Sequence, residues 1–344
     1  MTGENTGDRT VSQAIRAAVA DLTAAGVESA AHDARVLMAE AINRENSKDT
    51  GEGVGTGTAA PVTAMDLVMR GSDPAPEGFD VLLARRVDRE PLQLILGVGR
   101  VVGLDLPVAP GLFIPRPETD LLIEWAAGQV QDRADVLASG GLVARLTEPS
   151  VTVIDLCSGP GTIILGLAHL LTARGVADRV DLRLVGLEID PAAVNAATRT
   201  AADWVEQGHI SERIVIEFHQ GDVSTPAPVM RHGLVAAADV VVSNPPYVPE
   251  NTEVSPEVRK DPHRAVFSGD DGLDLLRTMA AVADMAAAPV AVVGIEHDDS
   301  NGAGVRELLA EVGMTDLAQH RDFAGRDRYV TGRVHRDPGH RPAR

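Results

Sequence analysis

From Val151 onward, short apolar runs alternate with segments of helical character. The runs read "VTVIDL", "LRLVGLE", "RIVIEF", "DVVVS" and "VAVVGIE", and helices are predicted to begin at Thr162, Pro191 and Leu273. Runs of this length that are apolar throughout are typical of strands buried on both faces. The alternation therefore predicts a mostly parallel sheet with helices on both faces, whose ligands bind at the carboxyl ends of the strands.

The N-terminal region has a different pattern, with apolar residues at helical spacing over residues 11–22, 29–42 and 79–87. We predict a small helical domain over residues 1–90, which contains a flexible insertion rich in Gly and Thr at about 44–61.

The middle of the chain links this helical domain to the alternating region. The stretch "GRVVGLDLPVAPGLFIPRPETD" has short apolar segments broken by Gly and Pro, which favours a β-hairpin connector over residues 91–117. We expect the α/β domain to span residues 118–335 and a disordered tail to span 336–344.

Composition narrows the class of protein. The chain has 344 residues, is 44% hydrophobic and contains one cysteine, Cys157, so it can bury a large core and has no disulfide framework. It has neither a signal-peptide pattern at its start nor an apolar run of membrane-spanning length, so we expect a cytoplasmic protein with no membrane partner. The formal net charge of −19 argues against stable binding to nucleic acids, which are polyanions.

Two loops at predicted strand ends carry candidate cofactor-binding residues. In "VIDLCSGPGT", Asp155 ends a strand, and Gly159 and Gly161 let the backbone approach a ligand at a helix N-terminus, although a tight turn is the alternative. In "LVGLEIDP", Glu188 ends the next strand and could accept both hydroxyl hydrogens of a ribose, with Asp190 as the competing residue. Asp190 also suits a helix N-terminus.

A third acid and a proline-rich loop follow later strands. Asp222 in "HQGDVS" could accept from an exocyclic amine such as that of adenine, or it could be an ordinary turn residue. In "SNPPYVP", the Asn244 side chain offers an oxygen acceptor and an NH2 donor, and the proline ring keeps the Pro245 carbonyl in place. Tyr247 offers a flat aromatic face. We interpret this loop as a rigid clamp for a planar NH2 group.

Over residues 90–330 the sequence resembles the HemK-like protein-(glutamine-N5) methyltransferases that modify class 1 peptide chain release factors. The matching motifs are "EPLQLILG", "FIPRPETD", "VIDLCSGPGT", "LEIDPAAV", "SNPPYVP", "SGDDGLDLLR" and "AGRDRYV". The resemblance implies a class I S-adenosylmethionine-dependent methyltransferase fold, Rossmann-like with a mostly parallel sheet, and a helical N-terminal domain that engages the release factor.

The resemblance also implies the activity, which is methyl transfer from S-adenosylmethionine to the side-chain amide nitrogen of the glutamine in a GGQ motif. No metal is expected, because transfer from a sulfonium requires none, and we expect a monomer. The implied cofactor-binding residues are Asp155, Ser158, Gly159, Gly161, Glu188, Asp222, Asn244 and Thr119, and the acceptor would bind at Asn244, Pro245, Pro246 and Tyr247. An N6-adenine or N2-guanine nucleic-acid methyltransferase is the alternative, since such loops also serve flipped bases.

The sequence departs from the family pattern at several positions. Cys157 stands where the family usually has the first glycine of its loop, and Leu94 replaces a frequent tyrosine. His297, with Asp298 and Asp299, lies in a stretch that we expect to be a solvated loop rather than a metal site.

Overall fold

The computed structural model describes residues 9–50, 62–139 and 149–336. The chain divides into two compact units. The first comprises Met1–Val98 and Val254–Lys260, and the second comprises Gly99–Glu253 and Asp261–Arg344.

The first unit is helical. Its helices are α1 (Val11–Ala24), α2 (Ala30–Thr50), α3 (Ala64–Met69), α4 (Phe79–Val87) and α5 (Leu92–Leu96). A capping box between Thr10 and Gln13 starts α1. Buried apolar side chains from the helices, among them Leu22, Leu37 and Phe79, form one core.

Two boundaries in this region differ from the sequence prediction. Helix α2 continues to Thr50, past the predicted start of the insertion at about 44, and the ion pair between Glu40 and Arg44 at 2.6 Å supports that extension. The unit extends to Val98 rather than ending near residue 90, because Ile95 of α5 is buried in the helical core. Residues 51–61 of the predicted insertion and 337–344 of the predicted tail lie outside the described residues.

The second unit contains a seven-stranded sheet, which follows a two-stranded sheet of β1 (Val98–Val101) and β2 (Leu104–Pro107). The seven strands are β3 (Ser150–Leu156), β4 (Asp181–Glu188), β5 (Ile214–Gln220), β6 (Ala238–Ser243), β7 (Ala287–Glu296), β8 (Thr315–Arg321) and β9 (Asp327–His335). Their order is β5-β4-β3-β6-β7-β9-β8, and within the described part of this sheet only the pairings of β9 with β7 and β8 are antiparallel. The predicted mostly parallel sheet and β-hairpin are confirmed.

Helices cover both faces of this sheet. They are α6 (Thr119–Ser139), α7 (Thr162–Ala173), α8 (Pro191–Glu206), α9 (Ala227–Arg231), α10 (His263–Val266), α11 (Asp274–Ala286) and α12 (Gly302–Glu311). On β3, Val151 and Val153 pack in the core that contains α6 and α7, whereas Ile154 and Leu156 pack with α11 and α12. No helix among the residues described here is long and apolar enough to cross a membrane.

Candidate active site

A cleft opens at the carboxyl ends of the parallel strands, and it holds about 1060 Å³ when its open mouth is included. It lies there because β3 pairs with β4 on one side and with β6 on the other, so the loops after these three strands converge. The predicted site residues that line the cleft are Thr119, Asp155, Ser158, Gly159, Glu188, Asp222, Asn244 and Pro246.

The loop after β3 is shaped by residues with positive φ angles. Gly159 has φ 54° and donates its N–H to Glu188 Oε2 at 2.8 Å. Gly161, with φ 89°, caps α7, and an added Cβ there would lie 3.0 Å from atoms of Ala197, Leu165 and Phe218. Gly161 therefore permits close packing behind the loop, whereas Gly159 lines the cleft.

Cys157 occupies the first position of this loop with φ 68°, in the left-handed region that favours glycine. Its side chain lines the cleft, with Sγ 3.9 Å from Met279 Sδ. Burial, and next the nearby Glu188 carboxylate, raise the pKa of the thiol well above its usual value. The sequence departure at this position thus places a neutral thiol in a strained backbone conformation.

Asp155 is the most unusual residue in the cleft. Its side chain is completely buried, and neither carboxylate oxygen has a hydrogen-bond partner. Burial and then the Glu188 charge raise its pKa well above the usual value. Ser158 Oγ is likewise buried without a partner. Unpaired buried acceptors beside a cleft fit a ligand that brings a cationic or N–H donor group.

The two acids after β4 have different surroundings. Glu188 accepts two backbone hydrogen bonds, from Asp190 N to Oε1 and from Gly159 N to Oε2, both at 2.8 Å. Asp190 caps α8 by accepting from Ala192 N at 2.8 Å, and it pairs with Arg264. Each Glu188 oxygen keeps a free lone pair, so Glu188 is held in place and can still accept from a ligand.

Asp222 lies at the exposed edge of the cleft. Its Oδ1 accepts from Ser224 N at 2.9 Å, which is the turn arrangement that the sequence offered as the alternative. Because the same residue lines the cleft, both roles are compatible.

Only some residues of the loop after β6 line the cleft. Asn244 lines the cleft and donates from Nδ2 to Thr119 Oγ1 at 3.2 Å. Tyr247 donates its hydroxyl to Glu296 Oε1 at 3.2 Å, and its carbonyl accepts from Asn301 Nδ2 at 3.0 Å. Burial, and next Glu296, raise the pKa of the tyrosine hydroxyl above its ordinary range. Tyr247 and Pro245 are not among the residues that line this cleft.

Glu296 was not identified from the sequence. It is 1% exposed, its Oε2 has no hydrogen-bond partner, and burial raises its pKa to about 7. The available signal was its position, since "VAVVGIE" ends in an acid, as the β4 run "LRLVGLE" does.

Asp299 is exposed, as the expectation of a solvated loop requires, but the neighbouring His297 is not. It is buried, with Nδ1 2.6 Å from the Asp298 carbonyl and Nε2 3.0 Å from Gln319. Across the described parts of the chain, no cluster of three or more His, Cys, Asp or Glu residues could hold a metal ion.

Comparisons with known proteins give the relatives of the chain. Residues 13–97 match the family described as the PrmC N-terminal domain. The release factor glutamine methyltransferase of Corynebacterium glutamicum is 36% identical over 94% of this chain and 99% of its own. The 4-amino-L-phenylalanine/4-methylamino-L-phenylalanine methyltransferase of Streptomyces pristinaespiralis is 33% identical over 91% of each.

Among solved structures, the protein-(glutamine-N5) methyltransferase (release factor-specific) of Alicyclobacillus acidocaldarius matches with a TM-score of 0.34 and 20% identity. The match covers 67% of this chain and 99% of that one.

Proposed function

The chain belongs to the release factor glutamine methyltransferase family, and on that premise we propose that it methylates the GGQ-motif glutamine of class 1 peptide chain release factors. The methyl group comes from S-adenosylmethionine and goes to the side-chain amide nitrogen. The observation that carries this proposal is that Asn244 lines the same cleft as Asp155 and Glu188. The residue proposed to hold the substrate amide and the acids proposed to bind the cofactor thus line one cleft.

The cleft fits the proposed cofactor. Asp155 and Ser158 supply buried, unpaired oxygens for the methionine part, Glu188 supplies acceptors for the ribose, and Asp222 supplies one for the adenine. When bound, S-adenosylmethionine supplies an electrophilic methyl group on a sulfonium.

The substrate amide nitrogen is a poor nucleophile, and the protein promotes its reaction mainly by holding it in position. An amide nitrogen delocalises its lone pair, so alignment with the methyl group is needed, and such positioning can contribute about 7 kcal/mol or more. In the proposed arrangement the Asn244 side-chain oxygen and the Pro245 carbonyl accept the two amide N–H bonds. These acceptors also stabilise the positive charge that grows on nitrogen. No general base is required, since the proton can leave to water after transfer.

The identity of the acceptor distinguishes this proposal from its competitors. A nucleic-acid methyltransferase must recover the cost of base flipping from phosphate contacts, and a net charge of −19 disfavours them. The relative that acts on 4-amino-L-phenylalanine makes a small arylamine a third acceptor to include in the test. A release factor substrate also implies a cytoplasmic enzyme, and we propose that it acts as a monomer.

The test is incubation of the full chain with isotopically labelled S-adenosylmethionine and a panel of acceptors. The panel contains a folded class 1 release factor, a short GGQ peptide, duplex DNA, RNA and 4-amino-L-phenylalanine. We expect label on the GGQ glutamine of the intact factor, located by mass spectrometry, and much poorer transfer to the peptide, because one flexible glutamine offers little to recognise. Efficient labelling of DNA, RNA or the arylamine, or of another residue in the factor, would overturn the assignment.

A further inference from the structure

The turn between β8 and β9, residues 322–326, lies at the same edge of the sheet as the cleft. Strand β9 runs antiparallel to β7, and its Tyr329 pairs with Glu296 at the carboxyl end of β7. The turn that precedes β9 therefore lies where the parallel strands end and the cleft opens. Arg326 of the turn pairs with Glu118 at 3.4 Å, and the next residue is Thr119, which lines the cleft. The turn thus borders the side of the cleft at which the acceptor is proposed to bind.

This turn exposes an aromatic side chain, Phe323, which is 97% accessible to solvent. The chain has five phenylalanines, two tryptophans and two tyrosines, all of them among the described residues, and of these Phe323 is the exposed one. Ala324 and Gly325 beside it are exposed and small, so a partner surface can approach the ring. Single exposed apolar residues are common on proteins and indicate nothing by themselves. What distinguishes Phe323 is its position beside the cleft and the rigidity of its turn.

The turn is held by Asp322, whose side chain is 4% exposed. Its Oδ1 accepts from the backbone N–H groups of Ala324 and Arg326, both at 2.9 Å. Its Oδ2 accepts from Arg326 Nε at 2.9 Å and from Arg328 Nη2 at 3.3 Å. The backbone that carries Phe323 is therefore fixed before a partner arrives, and an aromatic ring on such a backbone loses little conformational entropy on binding.

The charges around the ring favour a protein partner over a nucleic acid. Arg321 pairs with Asp327 at 2.9 Å. Arg326 pairs with both Asp322 and Glu118. These arginines are matched by carboxylates, so the turn offers no unbalanced positive charge to a phosphate backbone, whose contacts dominate nucleic-acid binding. An apolar ring inside a charge-balanced polar rim is typical of a protein–protein contact.

We propose that Phe323 is a specificity-determining contact for the folded substrate, and that its ring enters an apolar depression on the release factor beside the loop that carries the acceptor glutamine. This inference rests on the proposed function. One glutamine side chain in the cleft gives little basis for choosing among proteins, so contacts outside the cleft must supply the discrimination. Aromatic side chains that fill a pocket on the partner contribute much of the binding energy in such interfaces.

The kinetic test compares Phe323→Ser with wild type. The KM for the folded release factor should rise about tenfold or more, whereas kcat at saturating factor should stay near wild type. The affinity for S-adenosylmethionine and the Tm should not change, because the side chain is almost fully exposed in the protein alone. The slow transfer to the short GGQ peptide should also stay the same, since the peptide lacks the folded surface.

Two control variants separate the ring from its surroundings. Phe323→Leu keeps a large apolar side chain, so its KM for the factor should stay well below that of Phe323→Ser. Val290→Ala shortens another exposed apolar side chain, near the amino end of β7 and therefore at the opposite edge of the sheet. This variant should keep the wild-type KM.

A second measurement requires no methyl transfer. The full chain with Phe323→p-benzoyl-L-phenylalanine, which carries a photoreactive ring, should cross-link to the folded release factor on irradiation. Val290→p-benzoyl-L-phenylalanine should give much less cross-linked product under the same conditions.

Three results would each overturn the inference: a wild-type KM for the factor in Phe323→Ser, an equal loss of transfer to the short peptide, or cross-linking no stronger from position 323 than from position 290. If wild type methylates nothing in the acceptor panel, the proposed function fails, and the cross-linking still decides whether Phe323 contacts the factor.

Discussion

Asp155→Asn should have two opposite effects, because the structure shows a buried carboxylate without any partner. The change keeps the shape of the side chain and removes its charge. We expect weaker binding of S-adenosylmethionine and, in the ligand-free protein, higher thermal stability.

The magnitudes follow from what the carboxylate gains and loses. A hydrogen bond to a charged group contributes about 1.5–3 kcal/mol, so affinity should fall by about tenfold to a hundredfold. Without ligand, an unpaired buried polar group costs about 1–3 kcal/mol, and more when it is charged. Removing the charge should raise Tm by at least about 2–4 °C for a domain of this size.

The pH dependence of the stability gain is a sharper test. The raised pKa of Asp155 means that the folded state holds its proton more tightly than the unfolded state. The contribution of this group is therefore most favourable at low pH and is lost as pH rises through the raised pKa. The Tm advantage of Asp155→Asn should be present at mildly alkaline pH and disappear in acid, where the wild-type carboxyl is protonated.

Calorimetric melting without ligand and isothermal titration with S-adenosylmethionine measure both effects. Asp239→Asn is a matched control in the same sheet, because Asp239 pairs with Arg133 and accepts from Thr152 N, both at 3.0 Å. This control should lose stability and keep cofactor affinity. Wild-type affinity in Asp155→Asn, or a Tm below wild type at alkaline pH, would refute the reasoning.

Three further substitutions test the cleft. Glu188→Ala should weaken S-adenosylmethionine binding by roughly 1.5–3 kcal/mol in isothermal titration, and unchanged affinity would move the ribose role to Asp190. Asn244→Ala should abolish methyl transfer and lower cofactor affinity far less than Glu188→Ala, because the main role proposed for Asn244 is to hold the acceptor; a tenth of wild-type turnover, a barrier change of about 1.4 kcal/mol, would contradict the clamp. Cys157→Gly should stabilise the protein by about 1 kcal/mol in denaturant unfolding and retain activity, because glycine adopts the positive φ without strain.

The parallel strands could be predicted because burial on both faces leaves continuous apolar runs, which also locate Asp155 and Glu188 at strand ends. Strands β8 and β9 did not give such runs. Their sequences "TDLAQHR" and "DRYVTGRVH" mix polar and apolar residues: β8 is the partly exposed edge strand, and β9, which pairs antiparallel with β7 and β8, is buried mainly in its middle. The sequence pattern used for the parallel core therefore does not detect them.

The hydrogen bonds that join the loop after β6 to distant parts of the chain could not be predicted for a different reason. Thr119 and Asn244 are 125 residues apart, and Tyr247 and Glu296 are 49 residues apart. Periodicity reports which face of one element is buried, but it does not report which side chains of distant elements meet.

Three acids at the same edge of the sheet differ in how the protein holds them, which the sequence pattern alone does not reveal. Glu188 is held by two backbone N–H groups, Glu296 accepts one hydroxyl, and Asp155 accepts nothing from the protein. An acid that the backbone already holds can present a preformed acceptor to a ligand with little reorganisation. An acid that is buried and unpaired instead destabilises the ligand-free protein, and a ligand that supplies its missing donor recovers that free energy as affinity. On this argument, occupancy of the cleft by a cationic ligand should stabilise the sheet most strongly through Asp155.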